Sequence, residues 1–207
     1  ADLKTFQSFG VFGTSAITCL TAQNPEGVSG ILEVPPDILE KQILAILEYF
    51  PIKVAKTGML FSRSIIEIVV RLVKKYNINL VCDPVMVATS GAKLLQDDAI
   101  EIIQRDLIPI SSLLTPNSDE ASLLLGGETI VPETMEDSVK KLYSLFRIPV
   151  LLKGGHLQKD GKIKDFLYDG TQILEFPSDY ITNVSTHGTG CTYSAAIAAN
   201  LALGKDL

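Results

Sequence analysis

The stretch Asn79-Leu80-Val81-Cys82-Asp83-Pro84 decides the fold. Its three apolar residues run without polar alternation, which suits a strand covered on both faces, as in a parallel sheet flanked by helices. Upstream, Ser62–Tyr76 carries Ile65, Ile66, Val69, Val70 and Val73 at helical spacing, a core-facing stripe. A helix feeding a two-face-buried strand is half of a βα repeat, and the pattern recurs along the chain. Further strand candidates are Ser15–Thr18, Lys53–Thr57, Leu113–Thr115 and Val150–Lys153, with Asn79–Asp83 in the middle of the series. Helix candidates are Pro36–Tyr49, Ser62–Tyr76, Asp97–Asp106, Ser118–Leu125 and Thr134–Phe146. The expectation is an α/β fold with a mostly parallel central sheet flanked by helices.

Polar or glycine-rich residues follow the strands: Thr57-Gly58, Asp83-Pro84, Thr115-Pro116-Asn117 and Lys153-Gly154-Gly155-His156. The carboxyl ends of parallel strands form the ligand crevice of open α/β sheets, so these junctions are expected along one edge. Ile163–Tyr168 and Gln172–Phe176 flank the turn dipeptide Asp169-Gly170 and predict a β-hairpin. No repeat or linker divides the 207 residues, and a single domain is expected.

The formal net charge of −6 argues against a broad nucleic-acid face, and no apolar run approaches bilayer length. No basic-then-apolar leader opens the chain, which starts in a polar, helix-compatible segment. Cys19, Cys82 and Cys191 lack metal-ligand spacing, pointing to free thiols in a reducing cytoplasm. Two histidines, His156 and His187, are too few for a His-rich metal site.

Thr186-His187-Gly188-Thr189-Gly190-Cys191-Thr192 opens into an apolar helix-like run. Glycines there let backbone N–H groups converge at the positive end of a helix dipole, an anion site, and the same location is expected to depress the thiol of Cys191. A glycine-rich helix entry with a buried cysteine explains the same residues without function, and His187 reads as solvated. Asn117 and Glu120 form a helix cap on their own terms, or else meet Mg²⁺ through water and triphosphate oxygens at the crevice. Asp83 and Lys153 each end an apolar strand, where either an ordinary strand exit or work in the crevice accounts for them. Gln23 and Asn24 suit a polar heterocycle or a surface loop, Asp2 alone reads as a solvated charge, and Met59 as core or pocket wall.

The order of these signals is more specific than any one of them. Ala1-Asp2-Leu3-Lys4-Thr5-Phe6, Thr21-Ala22-Gln23-Asn24, Lys56-Thr57-Gly58-Met59-Leu60 and Asp83-Pro84-Val85-Met86 are followed by Thr115-Pro116-Asn117, Lys153-Gly154-Gly155-His156 and His187-Gly188-Thr189-Gly190-Cys191. Across its whole length the chain resembles the hydroxymethylpyrimidine (phosphate) kinases of thiamine biosynthesis, in the ribokinase superfamily. The closing cysteine stands where the wider superfamily usually has aspartate. The resemblance implies a ribokinase-like three-layer fold and transfer of the ATP γ-phosphoryl group to a pyrimidine alcohol. It implies Cys191 as the catalytic residue, with Gly188, Thr189 and Gly190 as the anion hole. Asp2, Gln23, Met59 and Val85 would line the substrate pocket, Asn117 and Lys153 would meet nucleotide, and Asp83 and Glu120 would lie in the Mg²⁺ region. ATP, Mg²⁺ and a small pyrimidine are the implied ligands, with no nucleic acid or membrane partner and with homodimers common among such kinases. Family members also carry an apolar strand and Gly/Ser-rich loop ahead of the segment matching Ala1–Lys4, and further helix after Leu203-Gly204; the domain at 1–207 is expected without them. A pyridoxal-type kinase, a non-catalytic pyrimidine- or nucleotide-binding protein, and a cysteine hydrolase using Cys191 with His187 or His156 are the competing readings.

Overall fold

The computed structural model describes residues 1–24, 27–86, 95, 97–184 and 186–207. Helix α1 (Asp2–Ser8) leads into a two-stranded antiparallel ribbon, β1 (Cys19–Asn24) and β2 (Gly27–Glu33). Then follow α2 (Pro36–Leu47), β3 (Val54–Thr57), α3 (Arg63–Tyr76), β4 (Asn79–Cys82) and α4 (Asp97–Ile102), which continues as a wider π-turn over Ile103–Leu107. The chain goes on through β5 (Leu113–Leu114), α5 (Ser118–Leu124), α6 (Met135–Phe146), β6 (Val150–Leu152), β7 (Lys162–Tyr168), β8 (Ile173–Asp179) and α7 (Thr189–Ala202). The main sheet has the order β3-β4-β5-β6-β7-β8, parallel from β3 to β6 and antiparallel through the β7–β8 hairpin.

Strand neighbours that follow chain order in one direction, joined by right-handed crossovers, must place their helices on the same face. The core obeys this rule. Leu80, Cys82, Leu114, Val150 and Leu152 point into one apolar cluster with Ile65, Ile66, Val69, Ile102, Leu124, Val139 and Leu142 from α3 to α6. Val81, Leu113 and Leu151, the alternate residues, point the other way onto Ala198, with Phe6, Tyr193, Ile197 and Leu201 around them. Helices α1 and α7 thus form the third layer. The small residues Ala195, Ala198 and Ala199 let α7 lie close on the sheet.

Local signals account for the element ends. Ser62 caps α3 by accepting the Ile65 N–H, and Asn77 ends that helix at φ 51°. Asp169 accepts the N–H groups of Thr171 and Gln172 and the Thr171 hydroxyl, each at 2.8 Å, which fixes the β7–β8 turn and pulls its carboxyl down to about 2. The Ser15–Thr18 expectation is corrected, because no strand forms there. Instead the side-chain amide of Gln42 takes the Ile17 N–H (3.0 Å) and donates to the Ile17 carbonyl (3.2 Å), standing in for a strand partner. The strand lies downstream in β1, whose partner β2 contains Gly27, Ser29 and Gly30 and lacks a strong apolar pattern.

Candidate active site

The parallel register brings the carboxyl ends of β3, β4, β5 and β6 together, and Asp83 sits at their centre. It is 2% exposed, and both carboxylate oxygens are engaged. Oδ1 receives the Lys153 ammonium at 2.9 Å and the Thr115 hydroxyl at 3.3 Å. Oδ2 receives the Ser194 hydroxyl at 3.0 Å and lies 3.7 Å from the Lys56 ammonium. Lys56 pairs in turn with Asp2 at 3.0 Å, joining α1 to the sheet. Burial works against the Lys56 charge, but Cys191 when it is a thiolate, together with the carboxylates of Asp83 and Asp2, outweighs it and holds the ammonium above its ordinary value. One carboxylate therefore divides two buried lysines, Lys153 on the β6 side and Lys56 on the β3 side.

Helix α7 begins against this cluster. Gly188 caps it at φ 84°, a left-handed turn that a side chain would strain. The Thr189 N–H bonds back to the Thr186 carbonyl and the Thr192 N–H to Gly188. The N–H groups of Gly190 and Cys191 find no acceptor among the described residues, so two donors stand free at the positive end of a 14-residue helix. A Cβ on Gly190 would stand 3.3 Å from Lys153 Nζ, which places that ammonium beside the free donors. The expected depression of the Cys191 thiol is not found. Burial raises it, Lys56 opposes, and Asp83 and Asp2 add to the rise, so the resting group is a thiol.

Asn117 and Glu120 form a full capping box, with Glu120 Oε2 accepting the Asn117 N–H and Asn117 Oδ1 accepting the Glu120 N–H, both at 2.8 Å. Asn117 also faces Lys153 across an isolated parallel bridge, so the cap lies on the crevice. Burial pushes the Glu120 carboxyl up to about 7, against the partial relief of Lys153. A carboxyl held high by burial has unused capacity for a cation, whereas Asp83 already accepts three hydrogen bonds and faces a second ammonium. No group of three His, Cys, Asp or Glu side chains gathers to hold a metal among the described residues. Of the crevice carboxylates, Glu120 is the one whose chemistry suits a cation brought in with a ligand.

This raised carboxyl makes stability depend on pH with a definite sign. Protonated Glu120 favours the folded state, a contribution complete below its ordinary value of 4.5 and lost as pH rises through about 7. The loss is on the order of 3 kcal/mol. Glu120→Gln, which keeps a capping-box side chain, should remove that component, and urea unfolding of the unliganded protein at about pH 5 and pH 8 measures it.

A cavity of about 760 Å³ runs along β3, and Asp2, Gln23, Lys56, Gly58 and Met59 all line it. Gln23 is exposed on β1, and the Met59 carbonyl accepts the Thr18 hydroxyl at 2.7 Å, fixing the ribbon's base over the cavity. Val85 is half-buried just beyond Asp83 and does not line the cavity. His187 and His156 are exposed. Sequence reasoning missed Lys56, Thr115, Ser194 and the Asp165–Tyr193 pair. Asp165 accepts the Gly154 N–H at 2.7 Å and bonds Tyr193, whose hydroxyl is pushed up to about 12 by burial and that carboxylate, so the β6 exit is braced against α7. A signal for Lys56 existed, since it is a charge near the end of an otherwise apolar strand, as Lys153 is.

The profile of the family described as phosphomethylpyrimidine kinase matches residues 1–207. The hydroxymethylpyrimidine/phosphomethylpyrimidine kinase of Aquifex aeolicus is 41% identical over 208 residues, an alignment spanning 100% of this chain and 81% of that protein. Among solved structures, the phosphomethylpyrimidine kinase of Clostridium difficile superposes with a TM-score of 0.85 at 38% identity, over 100% of this chain and 84% of that one. An ADP complex of Bacillus subtilis pyridoxal kinase superposes with a TM-score of 0.90 at 34% identity, over 99% and 78%. Vitamin kinases of the ribokinase fold thus share both the sequence and the layered architecture found here, and the chain belongs to the phosphomethylpyrimidine kinase family.

Proposed function

We propose that this protein transfers the γ-phosphoryl group of ATP to the hydroxymethyl group of 4-amino-5-hydroxymethyl-2-methylpyrimidine, and then to the resulting monophosphate, in thiamine biosynthesis. The observation that carries the reading is the pair of N–H groups at Gly190 and Cys191, without an acceptor among the described residues, beside the buried Lys153 ammonium. Such donors are aimed at charge that develops on the moving phosphoryl group, where each is worth about 10²–10³ in rate. Lys153 and Asn117 receive the nucleotide, while Asp2, Gln23 and Met59 border the acceptor cavity. Val85 stands by the same crevice, and Gly188 and Thr189 shape the helix start that presents the donors. Cys191 does not itself line the cavity, but it feels both Lys56 and Lys153 and is the group assigned to meet the acceptor hydroxyl. Its thiolate form takes the alcohol proton as the new O–P bond forms and the bond to the ADP oxygen breaks. Glu120 would hold Mg²⁺ brought in with the nucleotide, and the ion would neutralise phosphate charge there. Three free cysteines support a reducing cytoplasm as the setting.

A second reading, pyridoxal kinase, is favoured by the TM-score of 0.90 to the pyridoxal kinase structure. ADP release with Mg-ATP and each candidate acceptor separates the two. Turnover of hydroxymethylpyrimidine and phosphomethylpyrimidine is expected. Turnover of pyridoxal alone would select the second reading, and no ADP with any acceptor would sink both.

A further inference from the structure

The two phosphoryl transfers make different demands on the acceptor side. In the first, a neutral hydroxyl oxygen attacks Pγ, the Pγ–O bond to ADP breaks, and a proton must leave the alcohol. In the second, an already anionic oxygen of the phosphomethyl group attacks Pγ, ADP again departs, and no proton has to be removed. A base serves only the first step. The second step brings a dianionic acceptor up to a triphosphate, and needs a cation on the acceptor side to offset that repulsion.

Among the described residues, one candidate stands in the right place. Lys56 lines the cavity proposed for the acceptor, at its polar end near the carboxyl end of β3 with Asp2, Gln23 and Met59, whereas Lys153 does not line it. Lys53 lines the cavity too, but it precedes β3 at the opposite end of the strand. Asp83 keeps the two buried ammoniums apart, one on each carboxylate oxygen. The Lys56 side chain is 2% exposed and anchored from below by Asp83. Its other partner, Asp2, is 39% exposed and belongs to the first turn of α1, so that carboxylate can turn to solvent when another anion arrives. At rest Lys56 and Lys153 balance Asp2 and Asp83, and an incoming phosphate has an exchangeable anion to displace.

We propose that Lys56 determines specificity for the second transfer: its ammonium, paired at rest with Asp2, receives the phosphate of the phosphomethylpyrimidine acceptor. The inference rests on the proposed pyrimidine kinase activity. Its test is the ratio of kcat/KM for phosphomethylpyrimidine to that for hydroxymethylpyrimidine, in the wild-type protein and in Lys56→Met. Removing a buried charge partner should lower the ratio by about tenfold to a hundredfold. Asp2→Asn, which frees Lys56, should move the ratio the opposite way, and Lys56→Arg should retain most of it. Equal losses for both acceptors in Lys56→Met would mark a structural role and overturn the proposal, as would an unchanged ratio. Calorimetric binding of phosphomethylpyrimidine and hydroxymethylpyrimidine without nucleotide reads the same ratio in the absence of turnover. A wild-type protein that turns over neither pyrimidine refutes the kinase reading, and the binding ratio still decides the role of Lys56. Should Lys56→Met not fold, Lys56→Gln carries the same comparison.

Discussion

Asp83→Ala is expected to lower both stability and activity more than any other single change at the site. The carboxylate is buried, and it is the shared counter-ion of two ammoniums whose side chains are 2% and 10% exposed. Removing one member of a buried ion pair costs about 3–5 kcal/mol, because the partner is left charged in a medium that cannot solvate it. Lys56 keeps Asp2, so the larger share of the loss belongs to Lys153. The Ser194 hydroxyl retains the Gly190 and Cys191 carbonyls (3.1 and 3.2 Å), but its bond across to β4 is lost. Lys153 then loses its close ion pair beside Gly190 and keeps only the longer-range pull of Glu120 and Asp165, and kcat/KM should fall by at least about two decades, equivalent to about 2.7 kcal/mol of transition-state stabilisation. Urea unfolding and steady-state kinetics measure the two effects separately. Adding Lys153→Met to Asp83→Ala should recover part of the stability and none of the activity, because an apolar side chain of similar length replaces the stranded charge. A double variant as unstable as the single one would mean that the cost lies in Ser194 and Thr115 instead.

Much of this arrangement could be read from strand ends. Val81 and its neighbours announced a sheet buried on both faces, and the polar residues after β4, β5 and β6 do meet at one edge. Asn117 and Glu120 satisfy the helix-cap reading in full while facing Lys153, so structural and functional accounts of one residue coexist. Three features were not legible, each because it depends on distant contacts. Lys56 draws its meaning from Asp2, Asp83 and Cys191, which come from three other elements. The β1–β2 ribbon is largely exposed on both faces and leaves little apolar alternation to detect. The Cys191 thiol follows burial and the nearby carboxylates, whereas the glycine pattern revealed only the helix start. A positive helix end lowers a thiol when the group stays partly solvated, and here desolvation is the larger effect.

The raised thiol turns the role of Cys191 into a pH experiment. Cys191→Ala is expected to lower kcat for the hydroxymethyl acceptor by about 10²–10⁴, the usual worth of a positioned proton acceptor, while leaving ATP affinity within about threefold. In the wild-type protein the group rests as a thiol because burial lifts it above its ordinary 9.0. The reactive thiolate is then a minor species at neutral pH, growing about tenfold with each pH unit until the thiol titrates. The logarithm of kcat for the alcohol step should therefore rise between about pH 7 and pH 9 with a slope near one, and Cys191→Ala should flatten it. Transfer to the phosphomethyl acceptor, which has no proton to lose, should show neither the slope nor a comparable loss on substitution. The two residues then leave crossed signatures, Cys191 weighing on the alcohol acceptor and Lys56 on the phosphate acceptor. If Cys191→Ala keeps its kcat, or if the wild-type alcohol profile is flat, proton removal does not pass through this sulfur, and the anion hole with its two lysines must carry the first transfer alone.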